Sequence, residues 1–145
     1  MHHLAIMKKS WKLIPKILSG EKTIESRWYK SRIAPWNKIA AGDIVYFKDG
    51  GEPVVAQAEV EHVLQFENYT DNQLQHLVTT YGGAGKICFH SPMEQVITWA
   101  KTKRYCILIF LKRPQSIEPF QINKKGFGNA SAWITVPTID SIKAP

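Results

Sequence analysis

Between Val54 and Phe66 the chain alternates more strictly than anywhere else. Val54, Ala56, Ala58, Val60, His62, Leu64 and Phe66 fall on one side of an extended backbone, with Gln57, Glu59 and Glu61 opposite. A period of two held this long predicts a long, half-buried strand of an antiparallel sheet. His62, on the apolar side, is expected to be a satisfied structural histidine rather than a catalytic one. Asp49-Gly50-Gly51 is a hairpin signal just upstream, so Ile44 to Lys48 is the expected partner strand. Tyr105 to Leu111 is apolar on both faces and should be the most buried strand.

The rest of the chain supplies shorter elements. His2 to Ile6 reads as a first strand, Thr23 to Tyr29 as a second and Ala132 to Val136 as a last one. A helix is expected within Ser10 to Ser19, with Trp11, Ile14, Ile17 and Leu18 as its buried stripe and Ser10 as N-cap. Pro15 requires that this helix start near it or that its first turn be separate. Thr70 to Tyr81 has helical spacing through Leu74, Leu77 and Val78. Ser91-Pro92-Met93-Glu94 matches a capping box, predicting a helix to about Ala100. Gly82-Gly83-Ala84-Gly85 reads as a flexible linker, because no lysine–hydroxyl pattern makes it a phosphate loop. Short strands, turn signals and two or three helices fit an α+β fold, a small, partly closed and mostly antiparallel barrel flanked by helices.

The 145 residues suit one domain spanning 1–145. Apolar content of 44% and charged content of 21% place the chain among soluble globular proteins. No apolar run is long enough to span a membrane. Met1 to Ser10 lacks the pattern of a secretory signal. Cys88 and Cys106 are too few for a disulfide framework, so a reducing cytoplasm is expected. Net charge is +7, and all of it lies before Asp49, where ten Lys and Arg face three Asp and Glu. A clustered excess of this kind attracts polyanions such as nucleic acid. The alternative is that it only keeps the protein soluble.

Gly20 to Tyr29, GEKTIESRWY, gathers a lysine, a carboxylate, an arginine and two aromatics. Gly20 suits a helix C-terminus, where φ > 0 is needed. In the strand that follows, Thr23, Glu25, Arg27 and Tyr29 share one side, with Ile24, Ser26 and Trp28 on the other. Glu25 and Arg27 are about 7 Å apart along that strand and can form a charge-assisted pair. The pair lies either on a solvated face or in a polar cleft. No HExxH, CxxC, GxSxG, dinucleotide or P-loop pattern is present, so no metal and no cofactor is expected.

The spacing Gly20-x-Lys22-x-x-Glu25-x-Arg27 resembles the signature of the ASCH domain family, a branch of the PUA-like superfamily. Trp28, Tyr29, Pro35, Trp36, the Gly42-Asp43 turn and the segment Asn123 to Gly128 are similar to one group within it. The resemblance runs from about His3 to about Val136 and implies a PUA-like barrel. It also implies two classes of function. Most members look like RNA- or nucleotide-binding modules. A few small members are hydrolases, one group an amidohydrolase on acylated cytidine and others proposed ribonucleases. The amidohydrolase motif has a threonine three residues after its lysine. Here that position is Glu25, and Thr23 is displaced by two.

Binding of RNA or a nucleotide is therefore the preferred reading, with a basic cleft around the motif. Lys22, Arg27, Lys30 and Arg32 are its candidate phosphate contacts, joined by Lys124 and Lys125 on a loop expected to approach the motif. Tyr29 is the candidate stacking residue. Trp28 is expected in the core, and Trp36 is either core or a stacking platform. The alternative is a small hydrolase using Lys22 and Glu25, with Glu67 as a distant carboxylate. A third reading is a module that binds an acidic protein or peptide. A membrane partner is not expected, and a homodimer is left open.

Overall fold

The computed structural model describes residues 1–128 and 131–145. Six strands form one mixed sheet: β1 (His2–Met7), β2 (Ile24–Tyr29), β3 (Ile44–Asp49), β4 (Val54–Glu67), β5 (Tyr105–Phe120) and β6 (Trp133–Val136). Their spatial order is β2-β5-β4-β3-β1-β6, antiparallel throughout except for the β1–β3 pair. Three helices, α1 (Leu13–Ser19), α2 (Asp71–Tyr81) and α3 (Met93–Ala100), flank this half-barrel. The architecture is that of a PUA-like, partly closed α+β barrel.

Strand β5 holds the core together because both its faces are covered. Ile107, Ile109 and Leu111 join Ala5, Phe47, Ala58 and Val60 inside the barrel. Cys106 and Leu108 face the other way, onto Ile24, Trp28, Leu74, Leu77 and Val96 beneath α2 and α3. A third cluster of Leu4, Val54, Ile134 and Val136 lies across the far part of the sheet.

Strand β4 departs from its expected single apolar face. Its register with β5 slips between Val60 and His62. One extra residue in a strand reverses every side chain beyond it. Val63 thus turns inward with Val60, while Leu64 and Phe66 pack under the helices. His62 is accordingly exposed rather than buried, and stacks on Phe110 with ring centroids 3.8 Å apart.

The first helical region is broken where Pro15 demanded it. A 3₁₀ turn over Lys9–Trp11 is followed by Lys12 in the left-handed region (φ 53°), and α1 starts at Leu13. Pro15 thereby sits in the first turn, where a missing N–H costs nothing. Lys12, not Ser10, is the N-cap. Trp11 is not in the buried stripe and is 38% exposed. Gly20 closes α1 at φ 83°. Thr70 and Gln73 form a reciprocal capping box on α2. The box expected at Ser91 does not form, and α3 begins after Pro92 with no side-chain cap.

The 82–87 segment is not a free linker. Gly85 N–H donates to the Glu21 carbonyl (2.6 Å), and Thr23 and Ile24 N–H both donate to the Lys86 carbonyl (2.9 and 3.1 Å). It is laid against the start of β2, which brings residues 87–91 over the motif. Among the described residues no helix is long and apolar enough to cross a membrane.

Candidate functional site

Lys22 leaves the turn after Gly20 and its side chain goes inward, 3% exposed. Its ammonium donates to the carbonyls of Ile24 (2.8 Å) and Ile87 (2.7 Å) and pairs with Glu25 Oε1 at 3.3 Å. Glu25, 4% exposed, also accepts from the Ser26 N–H (3.1 Å) and, on Oε2, from Arg27 Nη2 (3.1 Å). Burial alone would raise the Glu25 carboxyl, but the Lys22 and Arg27 charges outweigh it and hold it below the usual carboxylate range. Burial pushes the Lys22 ammonium down, against the pull of Glu25. The pair is buried rather than on a solvated face, and Glu25 but not Arg27 lines the neighbouring cleft. The carboxylate is ionised inside the protein.

Arg27 uses the rest of its fork to close the barrel. Nη1 donates to the Ala132 carbonyl (3.3 Å) and Nη2 to that of Ile6 (3.4 Å). The guanidinium also lies 5.1 Å from the Trp133 ring centroid. Strands β2 and β1–β6 are the two edges of the sheet, so one side chain spans the open seam. Arg's planar, five-donor head is what makes such a bridge possible.

Beside Lys22 and Glu25 lies a cleft of about 360 Å³. That falls within the range of roughly 300–1,000 Å³ typical of small-ligand sites. Its walls come from three places: Trp11 and Leu13, Ser26 and Trp28 of β2, and Ile87 to Ser91 with Gln95, Val96 and Trp99. Trp11 stacks on His90, their rings 5.1 Å apart and nearly parallel at 12°. Trp28 meets Trp99 edge-on at 6.0 Å and donates its indole N–H to Ser26 Oγ (3.0 Å). Lys8 sits over Trp11 (5.1 Å) and Lys103 over Trp99 (5.3 Å), so cations rim the aromatic walls.

The remaining motif candidates lie elsewhere. Tyr29 packs half-buried against the barrel core, and burial raises its hydroxyl pKa. Trp36 packs there too, edge-on to Tyr105 at 5.1 Å. Arg32 is on the surface, bonded to Glu67 at 2.7 Å. Glu67 itself lines a separate depression with Phe66, Tyr69 and His76. Lys30 is exposed, as is Lys125. Lys124 donates to the Ser131 carbonyl (3.0 Å), and neither Lys124 nor Lys125 lines the cleft. Thr23 Oγ1 donates to the Gly85 carbonyl (2.7 Å), outside the cleft lining. Among the described residues no group of His, Cys, Asp and Glu is placed to hold a metal.

Reading the sequence missed Trp11, Phe89, His90 and Trp99 as one wall. The signal available was thin: Phe89 and His90 stand side by side in a segment with no other reading, while Trp11 and Trp99 fall in stretches that read as ordinary helix.

Fold and cleft together describe a PUA-like barrel with an aromatic-walled cleft at its helical end. Comparison with solved structures narrows the fold. The ASCH protein of Zymomonas mobilis matches at a TM-score of 0.66 with 17% identity, covering 99% of this chain and 96% of that one. Two single-residue variants of the same protein match at 0.67 and 0.66, with 17% and 19% identity. The first covers 99% of both chains; the second covers 93% of this chain and 87% of that one. The chain has the ASCH fold. No protein-family model and no curated protein matches the sequence.

Proposed function

We propose that this ASCH-fold chain binds single-stranded RNA or a nucleotide by drawing one base into the cleft beside Glu25. The observation that carries the reading is an ionised carboxylate at the floor of an aromatic-walled cavity. A carboxylate has about four lone-pair sites, and the structure fills three of Glu25's, with Ser26 N–H, Lys22 and Arg27. One remains for an N–H on a base edge. The Lys22 ammonium, by contrast, has all three protons engaged, so it orients the acceptor rather than meeting the ligand. Base faces are recognised by the tryptophans, at roughly 1–3 kcal/mol per stacked base.

The phosphates of such a ligand fall to the rim. Lys22 and Arg27 are buried on Glu25, and Arg32 is bonded to Glu67. Lys8 and Lys103, each lying over a tryptophan of the cleft wall, are the cations nearest to hand for those phosphates. Hydrolysis is less well supported, because Lys22 is fully engaged and neither Thr23 nor Glu67 lines the cleft.

Tryptophan quenching by short single-stranded RNAs and by mononucleotides, across several salt concentrations, tests this. Trp11→Ala removes a ring that belongs to none of the three core clusters, so the fold is kept and affinity should drop about 5- to 150-fold at every salt. Lys8→Met should shallow the slope of log K against log salt by about 0.7, one phosphate's worth on a single strand. Binding that survives Trp11→Ala unchanged, or no quenching at low salt, sinks the proposal.

A further inference from the structure

The opening stretch of the chain carries a row of cations beside the cleft. Residues 1–20 contain four lysines and no Asp or Glu. Among the described residues only Lys9 of the four meets a carboxylate, that of Glu52 at 2.6 Å. Lys8 and Lys12 are exposed and Lys16 is half-buried. Lys22 and Arg27 of the motif, by contrast, spend their charges on Glu25.

The backbone that bears Lys8, Lys12 and Lys16 borders the cleft. Trp11 and Leu13 both line it, and Lys12 stands exposed between them. Lys12 is held there by its left-handed backbone (φ 53°) and by its N–H, which donates to the Lys9 carbonyl (3.2 Å). Lys8 Nζ lies 5.1 Å from the Trp11 ring centroid. Lys16 follows one turn along α1, and its carbonyl accepts the Lys22 N–H (3.0 Å), which ties it to the residue at the cleft floor. On the α3 side Lys103 lies 5.3 Å from the Trp99 centroid.

A free nucleotide has phosphate at one position and is served by Lys8 alone. Lys12 and Lys16 are left over, and like charges one helical turn apart repel. A ligand with phosphates in series neutralises them together and releases its own counterions, the main drive of nucleic-acid binding. We infer, on the reading of the cleft as a base site, that Lys8, Lys12 and Lys16 form a track for the backbone of a single-stranded RNA. The partner is then a strand that places one of its bases in the cleft, not a free mononucleotide. A single strand suits such a track because its bases are already unpaired and its phosphates follow one another along a positively charged surface.

Tryptophan quenching of the whole chain tests the track, with AMP, CMP and UMP set against the 5′-phosphorylated tetranucleotides of the same bases from low to moderate salt. Two further phosphates, on Lys12 and Lys16, at about 0.7 each, make the tetranucleotide's slope of log K against log salt about 1.4 steeper. A fourfold rise in salt therefore costs the tetranucleotide about 7-fold more affinity than the mononucleotide. Lys12→Met and Lys16→Met should each shallow the tetranucleotide's slope by about 0.7, while Lys38→Met, an exposed lysine in the loop that carries Trp36, should keep it. Melting temperatures taken alongside show that each variant is folded. Equal slopes for the two ligands, or a folded Lys12→Met or Lys16→Met variant with the full slope, overturn the track and leave the base site standing. No quenching by either ligand removes the base site and the track with it. An oligoglutamate that displaces the tetranucleotide as effectively as unlabelled RNA does assigns the lysines to an acidic peptide and overturns the inference as well.

Discussion

Replacing Glu25 by Gln is the most informative single change, because it keeps the shape and removes the charge that two cations share. The carboxylate is 4% exposed and lies 3.3 Å from Lys22 Nζ and 3.1 Å from Arg27 Nη2. Removing one partner of a buried pair costs about 3–5 kcal/mol, mostly because the other charge stays buried and uncompensated. Lys22 keeps two carbonyl acceptors and Arg27 keeps two more, which places the cost near the lower bound. A loss of about 3 kcal/mol lowers the melting temperature of a chain this size by roughly 10 °C. The double variant Lys22→Met/Glu25→Gln removes both charges together. It should recover a large part of the loss, since replacing a whole buried pair by apolar or neutral groups is often close to neutral. Urea unfolding followed by tryptophan fluorescence gives both numbers. The pH dependence has a definite sign. Glu25 titrates below its ordinary value, so its stabilisation is complete above about pH 4.5 and is lost as pH falls through the lower folded value. The deficit of Glu25→Gln should therefore shrink in acid. A Glu25→Gln protein within about 0.5 kcal/mol of wild type would show that the carboxylate does not anchor the motif. Double-variant costs that merely add would show the same.

Two further outcomes follow from the same network and from the far edge of the sheet. Arg27→Lys keeps the charge but loses the fork that reaches Ile6 and Ala132, so it should cost about 1.5–3 kcal/mol. It should also speed amide exchange at Ile6, whose N–H bonds Ala132; unchanged exchange there would argue against Arg27 as the seam closure. His3 accepts from the Trp133 indole at Nδ1 (3.1 Å) and so donates through Nε2 to Asp43 (2.8 Å), which fixes it as the neutral tautomer. Burial lowers its pKa from 6.5, so its contribution is complete above pH 6.5 and falls away as pH drops towards the lower folded value. Stability measured from pH 7 down should decline less steeply in His3→Gln than in wild type. Parallel declines would refute the assignment.

What could be read from the sequence was whatever depends on local period or local turn chemistry. The two faces of β5, the hairpin at Asp49-Gly50-Gly51, the Gly20 helix end and the side-by-side placing of Glu25 and Arg27 all follow from neighbours within a few residues. The reversal in β4 did not, because alternation continues unbroken through the bulge and only the register with β5 reveals the extra residue. Nor did the parallel pairing of β1 with β3, which has no signature in either strand. The cleft was hidden for a related reason. Its second wall is delivered by the 82–91 segment, which looks like a glycine linker until backbone hydrogen bonds lay it on residues 21–24. Trp11 has helical spacing to Ile14 and Leu18, yet Lys12 turns left-handed and rotates it into the wall. The basic first third was legible as charge but not as surface, since Lys22 and Arg27 spend their charges inward.

That inward spending joins two features that would otherwise be independent. Glu25 carries Lys22, at the cleft floor, on one oxygen and Arg27, which spans the barrel seam, on the other. A ligand N–H arriving at the remaining lone-pair site draws on the same carboxylate charge that holds both cations. Withdrawing electron density from the Arg27 side weakens a contact that holds β2 to β1 and β6. The short motif is thus a hinge of electrostatics. Lysine sets the depth of the cleft, arginine closes the barrel, and one carboxylate answers to both. Substituting lysine for arginine in such an arrangement should disturb the cleft as well as the seam. The affinity of Arg27→Lys for a nucleotide decides the matter. If it equals that of wild type while the barrel is loosened, the two features are uncoupled and Glu25 serves each separately.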